Sequence, residues 1–326
     1  MRAHRLSAQG ASGQAGLTLV ELMISMALGL LVVAAATGLL LSAKAGYTMQ
    51  DDDGLIQDSG RYALETVARA VRQAGYENWD ASEAPVLVDA AAAPSIIGLD
   101  AARLASTSPG IASPLPDPVN GSDVLAVRFF GASDGTMLNC AGFDVPAPAP
   151  AASADASRGW SIFYVARDSS GMPQLYCKYQ GSSAWSAQAI VQGVESFQVL
   201  YGLDSDGDSL PNRFLNAAAI DALDAALVLE GATPQQQAID KSRKTNWKKV
   251  TVVKVALLVR GNHNTRVDAS DAEYDLFGSD YAEANAVSDA GVRVEEADMP
   301  PAERKRLRKT FAATIQLRNQ ASGSAT

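Results

Sequence analysis

The alternation of apolar and polar positions divides the chain into a long helical start and a strand-rich remainder. From Leu22 to Ala43 no residue is charged, and most positions are Leu, Val, Ile, Met or Ala. As a helix this run spans about 33 Å, close to the roughly 30 Å hydrocarbon core of a bilayer. The helical register continues from Tyr47 to Arg72, and Gly75 is expected to end it. We therefore predict one long helix whose first half is long enough to cross a membrane.

The second half of this helix is predicted to be amphipathic. Gly54 and Gly60 are expected to bend or interrupt it where it leaves the membrane. An apolar stripe is predicted at helical spacing, with charged positions elsewhere, and its members are Tyr62, Leu64, Val67, Ala68 and Val71.

Beyond the helix, β-branched and aromatic residues concentrate in short segments that are typical of β-strands. A short helix is predicted from Ala217 to Gly231, and Ala81 to Ser122 is predicted to be a long surface excursion. Strands are predicted at Asp123–Phe130, Trp160–Ala166, Gln174–Tyr179, Ala189–Tyr201, Lys249–Val259 and Lys309–Leu317. The fold class that follows is α+β, with a long N-terminal helix packed on a mainly antiparallel β-sheet head with long insertions.

The distribution of charge gives the helix an orientation. Arg2 and Arg5 precede the apolar run, and Asp51, Asp52 and Asp53 follow it. Positive charge before a span predicts that the first residues face the cytoplasm and that the rest lies beyond the inner membrane. The formal net charge of −9 argues against wholesale nucleic-acid binding. A cleaved signal peptide and a simple membrane anchor are the two plain alternatives for the apolar run.

Glu21 is explained by neither alternative, because a carboxylate deep in a membrane helix costs about 2.5–3.5 kcal/mol. Gly16 to Glu21 read Gly-Leu-Thr-Leu-Val-Glu, which resembles the class III signal of type IV prepilins and type II secretion pseudopilins. The resemblance implies that a prepilin peptidase cuts between Gly16 and Leu17 and methylates the new amine. It also implies that Glu21 pairs with the N-terminal ammonium of a neighbouring subunit, since two charges in an apolar filament core cost less together.

Three further segments resemble the PilW-type minor pilins. They are Arg72 to Tyr76, which reads Arg-Gln-Ala-Gly-Tyr, then Tyr201 to Asp208, and the closing Leu317-Arg318-Asn319. The resemblance implies a pilin-like fold with a leader at 1–16, a transmembrane and assembly helix at 17–46, an amphipathic continuation at 47–76 and a periplasmic or extracellular β-rich head at 77–326.

The implied function is that of a PilW-like minor pilin, which contributes to the priming, assembly or tip of a type IV pilus and catalyses no reaction. The implied partners are other minor pilins, the major pilin, the prepilin peptidase and an inner-membrane assembly platform. Such a protein crosses the inner membrane once before assembly and then lies in the cell-surface pilus. A J-type minor pseudopilin of a type II secretion system is one alternative, and a membrane-anchored adhesive or DNA-binding module is another.

The DNA-binding alternative rests on a basic run near the end of the chain, Arg304 to Lys309. The run leads directly into the last predicted strand. We therefore favour a solvated flank that guards an edge strand over a nucleic-acid or lipid surface.

An enzyme alternative rests on one Gly-x-Ser-x-Gly string, Gly131 to Gly135. A nucleophile elbow needs a helix directly after it and a histidine later in the chain. No helix is predicted there, and His263 lies in a polar loop. A turn is the better interpretation, and no catalytic residue is assigned.

Cys140 and Cys177 are the only cysteines, which excludes four-cysteine zinc sites and iron–sulfur clusters. They lie near the edges of predicted strands, in a part of the chain expected in an oxidising compartment, so a disulfide is predicted. Closing this loop would stabilise the fold by about 4 kcal/mol, reduced by any strain. Two free buried thiols are the alternative.

The segment Asp204 to Asp208 is the most chemically suggestive, because alternating carboxylates around a glycine can direct several oxygens at one cation. Asp204, Asp206, Asp208 and Asn212 are therefore candidate calcium ligands. The EF-hand pattern fails, since Ser209 stands where that loop has Gly and Leu215 replaces its bidentate Glu. No cofactor is required by the sequence. A shorter calcium loop and a metal-free acidic hairpin both remain open.

Overall fold

The chain divides into two compact units, residues 1–50 and 51–326. The computed structural model describes residues 16, 18–77, 90–148, 155–266, 268 and 271–319. Helix α1 (Leu19–Gln73) contains residues of both units. The head unit thus starts at Asp51, within the helix, whereas the sequence placed the start of the head at residue 77.

Helix α1 is continuous through every glycine that it contains, so it is not interrupted at Gly54 or Gly60. A Cβ atom at Gly60 would lie 2.5 Å from Cζ of Phe311, whereas nothing lies within 4 Å of one at Gly54. Gly60 therefore permits close packing between the helix and the ring.

The buried face of α1 in the head unit consists mostly of small residues. Its apolar members are Ile56, Ala63, Val67, Ala68, Ala70 and Val71. Tyr62, predicted to belong to this face, is 56% exposed instead. The small side chains of this face let the backbone of the helix approach the sheet. The ring of Tyr62 is too large for such a close contact, and it lies exposed outside this face.

The end of α1 is fastened by the end of the chain. The Asn319 side chain donates hydrogen bonds to the carbonyl oxygens of Arg72 and Ala74, at 3.1 and 3.4 Å. Gly75 ends the helix as predicted, with φ +68°, and a Cβ there would overlap the carbonyl oxygen of Asn319. Two of the segments that resemble PilW-type pilins thus meet in space.

The strands form two antiparallel sheets and one small ribbon. The strands are β1 (Ile96–Leu99), β2 (Val124–Phe129), β3 (Gly159–Arg167), β4 (Pro173–Gln180), β5 (Trp185–Gln192), β6 (Val194–Leu203), β7 (Arg213–Leu215), β8 (Val250–Arg260), β9 (Glu273–Asp275), β10 (Arg293–Glu295) and β11 (Arg308–Gln316). The five-stranded sheet has the order β1-β2-β3-β4-β5, the four-stranded sheet has the order β11-β8-β6-β7, and β9 pairs with β10.

The single strand predicted at Ala189–Tyr201 is in fact two strands in different sheets. Gly193 separates them with φ +77°. Its N–H donates to Pro173 at the start of β4, and its carbonyl accepts from Arg260 at the end of β8, both at 2.9 Å. The chain therefore changes sheet at Gly193. Strand β6 after it is buried throughout, whereas β5 before it is an edge strand in which Val191 alone is buried.

Three short helices lie in the insertions between strands, α2 (Ala217–Ala225), α3 (Pro234–Lys244) and α4 (Ser279–Asn285). Helix α2 is shorter than the predicted helix, which extended to Gly231. The predicted surface excursion contains strand β1, and its described part covers the outer face of the five-stranded sheet, where Leu104 packs with Ile162 and Tyr164.

The main core lies between the second part of α1 and the two sheets. It includes Ile56 and Val67 of the helix with Phe129, Phe163 and Phe197 of the strands. The observed fold is α+β and pilin-like, as predicted, because a helix with one apolar face buries that face on antiparallel strands.

Gly60→Ala is predicted to destabilise the head by about 1–3 kcal/mol, because the added methyl group must displace the Phe311 ring. Gly54→Ala is the matched control, and it should be neutral or stabilising by up to about 1 kcal/mol through helix propensity. Denaturant unfolding of the detergent-solubilised protein measures both. Equal effects of the two substitutions would contradict the packing role of Gly60.

Candidate functional site

The first part of α1 is an apolar surface that its own unit does not cover. Every side chain described from Leu19 to Tyr47 is exposed, and Leu19, Leu30 and Leu39 are each 74% exposed. Within the described residues, α1 is the one helix that is long and apolar enough to cross a membrane, judged by length and composition.

Glu21 lies exposed in the first turn of this helix. Its backbone N–H donates to Thr18 Oγ1 at 3.3 Å, so Thr18 caps the helix start. A carboxylate in the first turn is favoured by the helix dipole, which partly offsets its apolar surroundings. Of the two residues at the predicted processing point, Gly16 is exposed and Leu17 lies outside the described residues.

Where α1 enters the head unit, Asp52 is buried and holds the loop after β8. Its carboxylate accepts the N–H groups of Asn262 and His263 at 3.3 and 3.1 Å and lies 2.9 Å from His263 Nδ1. A Cβ at Gly261 would lie 2.7 Å from Asp52 Oδ2, so only glycine leaves room for the carboxylate. Sequence reasoning treated Asp52 as a membrane-flanking charge, and no spacing signal indicated this contact.

The basic run Arg304 to Lys309 is not a solvated flank. The Arg308 guanidinium is fully buried and donates to both carboxylate oxygens of Glu195, with Nε to Oε2 at 2.6 Å and Nη2 to Oε1 at 3.2 Å. Its Nη1 donates to Glu296 Oε1 at 3.2 Å. Burial alone would lower the pKa of Arg308, but the paired carboxylate of Glu195 holds it above its usual value.

The rest of the basic run is also engaged within the head. Arg304 donates to the carbonyl oxygens of Met299 and Ala297, and Lys309 pairs with Asp53 of α1. Arg308 and Lys309 are thus neutralised by carboxylates and the Arg304 guanidinium is bound to carbonyl oxygens, so these three side chains are not free to contact nucleic-acid phosphates. The acidic partners lie far away in sequence, which is why the run looked free.

Cys140 and Cys177 form the predicted disulfide, with their Cα atoms 5.7 Å apart. Cys177 lies on β4 and is fully buried, while Cys140 lies in the loop between β2 and β3. The bridge therefore ties that loop to the five-stranded sheet.

The acidic hairpin between β6 and β7 brings the predicted ligands together. One oxygen from each of Asp204, Asp206 and Asp208 lies within 4.8 Å of the others. The Asp204 carboxylate accepts three backbone N–H groups of the turn, those of residues 206, 207 and 209. These hydrogen bonds lower the pKa of Asp204, and the bond from the Gly207 N–H has the largest effect. The Asn212 side chain donates to Asp206 Oδ2 at 3.0 Å and thereby connects two parts of the hairpin.

The Gly-x-Ser-x-Gly string forms a turn and not a nucleophile elbow. Asp134 Oδ1 accepts the backbone N–H and the hydroxyl of Thr136, at 3.0 and 2.7 Å. No α-helix follows Gly135 among the described residues that lead to β3, and Ser133 is exposed.

A cavity of about 500 Å³ lies between α2 and α4, and we call it the α2–α4 cavity. It was not predicted from the sequence. Its lining residues are Phe214, Leu215, Asn216, Ala218, Ala219, Tyr281, Asn285 and Ser288.

Three carboxylates, those of Asp100, Asp123 and Asp289, lie behind the wall of this cavity. Asp100 accepts the first N–H groups of α2, from Ala217 and Ala218, at 2.9 and 2.7 Å. Burial raises the pKa of Asp100 to about 6 despite these bonds. Burial raises the pKa of Asp123 well above its usual value, and the charge of Asp100 makes the next-largest contribution to this rise.

Comparison with known proteins agrees with the geometry of α1. The family model of the prokaryotic N-terminal methylation motif matches residues 11–37, and that of type IV pilus-assembly protein W matches residues 162–319. The chain belongs to the PilW-like type IV minor pilins. The motif covers the predicted cleavage point and Glu21, and the second match covers β4 to β11 and the Asn319 that caps α1.

No curated protein matches this PilW-like pilin. Among solved structures, a type IV-like pilin from Thermus thermophilus aligns with 16% identity and a TM-score of 0.37, over 81% of this chain and 97% of that one. The fold assignment rests on α1 and the strand order described above. The apolar helix and the methylation motif fit a membrane-anchored pilin, and the PilW match favours the pilus over the J-type pseudopilin.

Arg308→Ala is predicted to destabilise the head of this pilin by about 3–5 kcal/mol, because it leaves Glu195 and Glu296 buried with fewer partners. Arg318→Ala removes the same charge from an exposed position and should change stability by less than about 0.5 kcal/mol. Thermal unfolding of the detergent-solubilised protein compares the two. A loss no larger for Arg308→Ala than for Arg318→Ala would contradict the structural role of the network.

Proposed function

We propose that this PilW-like pilin primes pilus assembly and occupies the filament tip at low copy number. The observation that carries the proposal is the uncovered apolar surface of α1 next to a class III signal. A bilayer covers that surface before assembly, and the helices of neighbouring subunits cover it afterwards. Prepilin peptidase, an inner-membrane assembly platform, the major pilin and other minor pilins are the partners that this route requires.

Glu21 has the central role in the proposed route. Its carboxylate stands at the start of α1, where the N-terminal ammonium of an adjacent subunit would lie in a bundle of parallel helices. Each charge is costly in an apolar bundle and much less so when paired, so Glu21 sets the axial register of neighbouring helices.

Glu21→Gln is predicted to leave the protein processed and membrane-bound while reducing surface pili at least tenfold. Glu65→Gln changes a glutamate later in the same helix that is 73% exposed and pairs with the partly exposed Arg72, and it should leave piliation unchanged. Sheared pilin and membrane fractions of cells carrying each variant give the readout. Normal piliation with Glu21→Gln would overturn the proposed role of Glu21.

A separate experiment tests the proposed position of this pilin at the filament tip. An epitope placed at the C-terminal end of the chain should be labelled by antibody at one end of each pilus. Labelling along the whole filament would show a subunit distributed through the shaft and would contradict the tip position.

We also propose that the head requires no cofactor and that the acidic hairpin can take up calcium. Support comes from the three aspartates with oxygens within 4.8 Å of one another. The backbone N–H groups that donate to Asp204 already stabilise its negative charge, so the turn forms without a cation.

The melting temperature is therefore predicted to rise when millimolar calcium replaces EDTA, with the head folded in both conditions. Asp206→Asn should abolish the rise and leave the melting temperature in EDTA unchanged. Asp268→Asn is the control at a distant position. An identical melting temperature in calcium and EDTA would assign the hairpin as a metal-free turn.

The chain is further proposed to act without catalysis. The exposed turn position of Ser133 supports this, because no α-helix follows it among the described residues that lead to β3, as a nucleophile elbow would need.

A further inference from the structure

The α2–α4 cavity has a wall with carboxylates directly behind it. Tyr281 lines the cavity, and its hydroxyl donates to Asp289 Oδ2 at 2.9 Å. Ala218 also lines it, and its N–H donates to Asp100 Oδ2 at 2.7 Å. Each of the two carboxylates is thus one hydrogen bond away from the cavity surface.

These carboxylates lack a cationic partner in the part of the chain that the structure describes. Asp289 is only 2% exposed, and its Oδ1 has no hydrogen-bond partner there. Neither Asp100, Asp123 nor Asp289 takes part in an ion pair among the described residues, unlike the buried Glu195 and its arginine. The lining of the cavity contains no Lys or Arg. A buried carboxylate without a cation is costly, and a cation placed beside it recovers part of that cost.

Large apolar side chains are exposed in the segments that line the cavity or adjoin its lining residues in the chain. Phe214 lines the cavity and is 37% exposed, and Leu210 of the same hairpin is 61% exposed. Val287 is fully exposed next to the lining residue Ser288. Large apolar side chains held in water beside a cavity are typical of a protein interaction site.

We propose that the α2–α4 cavity binds a Lys or Arg side chain of another protein subunit, with an apolar residue beside it that packs on these exposed apolar side chains. The stem of such a side chain would contact Phe214, and its charged end would lie at Tyr281, with the carboxylates of Asp289 and Asp100 one hydrogen bond behind the cavity surface. The partner is a different chain and not a second copy, because two copies of a chain with a net charge of −9 repel each other. The identification of the partner as another pilin subunit rests on the proposed function, whereas the cation preference of the cavity does not.

Benzamidine and benzamide test the cation preference, since they share an apolar ring and differ in charge. Ligand-observed NMR with the full-length protein in detergent should show benzamidine binding at least tenfold more tightly than benzamide. Asp289→Asn, which removes charge, and Ser288→Trp, which fills the cavity, should each weaken benzamidine binding at least fivefold. Asp280→Asn, which changes an exposed acid of α4, should leave it unchanged.

Equal binding of the charged and neutral probes, or no binding of either, would overturn the proposal. Melting curves show whether Asp289→Asn still folds, and Ser288→Trp tests the cavity with the carboxylates intact. Since this experiment needs no pilus, its failure is distinct from a failure of the proposed assembly role.

A photo-crosslinking residue at Val287 tests the partner in piliated cells. The expected product joins position 287 to a different pilin, at a peptide with a Lys or Arg beside an apolar residue, and Asp289→Asn reduces its yield at least fivefold. The same crosslinker at Phe143, which is also exposed, should not give this product. Crosslinks to a second copy alone, or to peptides without a basic residue, would overturn the assignment of the partner.

Discussion

The structure depends on one constraint, which is that the apolar surface of α1 before residue 51 must be covered by something outside its own unit. Each large apolar side chain moved out of water contributes about 1.5–3 kcal/mol. More than ten such side chains are exposed between Leu19 and Leu41. A bilayer can meet this requirement, and in the proposed assembly route a bundle of neighbouring helices would meet it afterwards. The methylation motif at the start of α1 fits that route.

The head unit solves the opposite problem, because it buries charges and must pair them. Arg308 joins Glu195 and Glu296, and this ionic contact fixes the insertion before β11 to the four-stranded sheet. The later part of α1 is held by β11 and the residues after it, through Phe311 on Gly60 and Asn319 at the helix end. The part of α1 in the head unit is therefore anchored by β11 and the residues directly after it.

The sequence predicted what local pattern determines. The long helix, its end at Gly75, most strands and the disulfide follow from periodicity, glycine conformation and cysteine count. It did not predict the partners of Arg308 and Asp52 or the α2–α4 cavity, because those depend on which distant segments meet. Gly60 and Gly193 show the same limit. Gly60 permits a close contact with Phe311, and Gly193 permits a change of sheet. Neither role can be recognised from the residues adjacent to these glycines in the sequence.

The most direct test of this account is the N-terminal mass of the protein from cells with and without a prepilin peptidase. The account predicts a mature chain that starts at methylated Leu17, and this form should be absent when the peptidase is missing. An intact N-terminus in both strains, or cleavage after the apolar run, would contradict it. Such a result would leave an anchored or secreted module in place of a filament subunit.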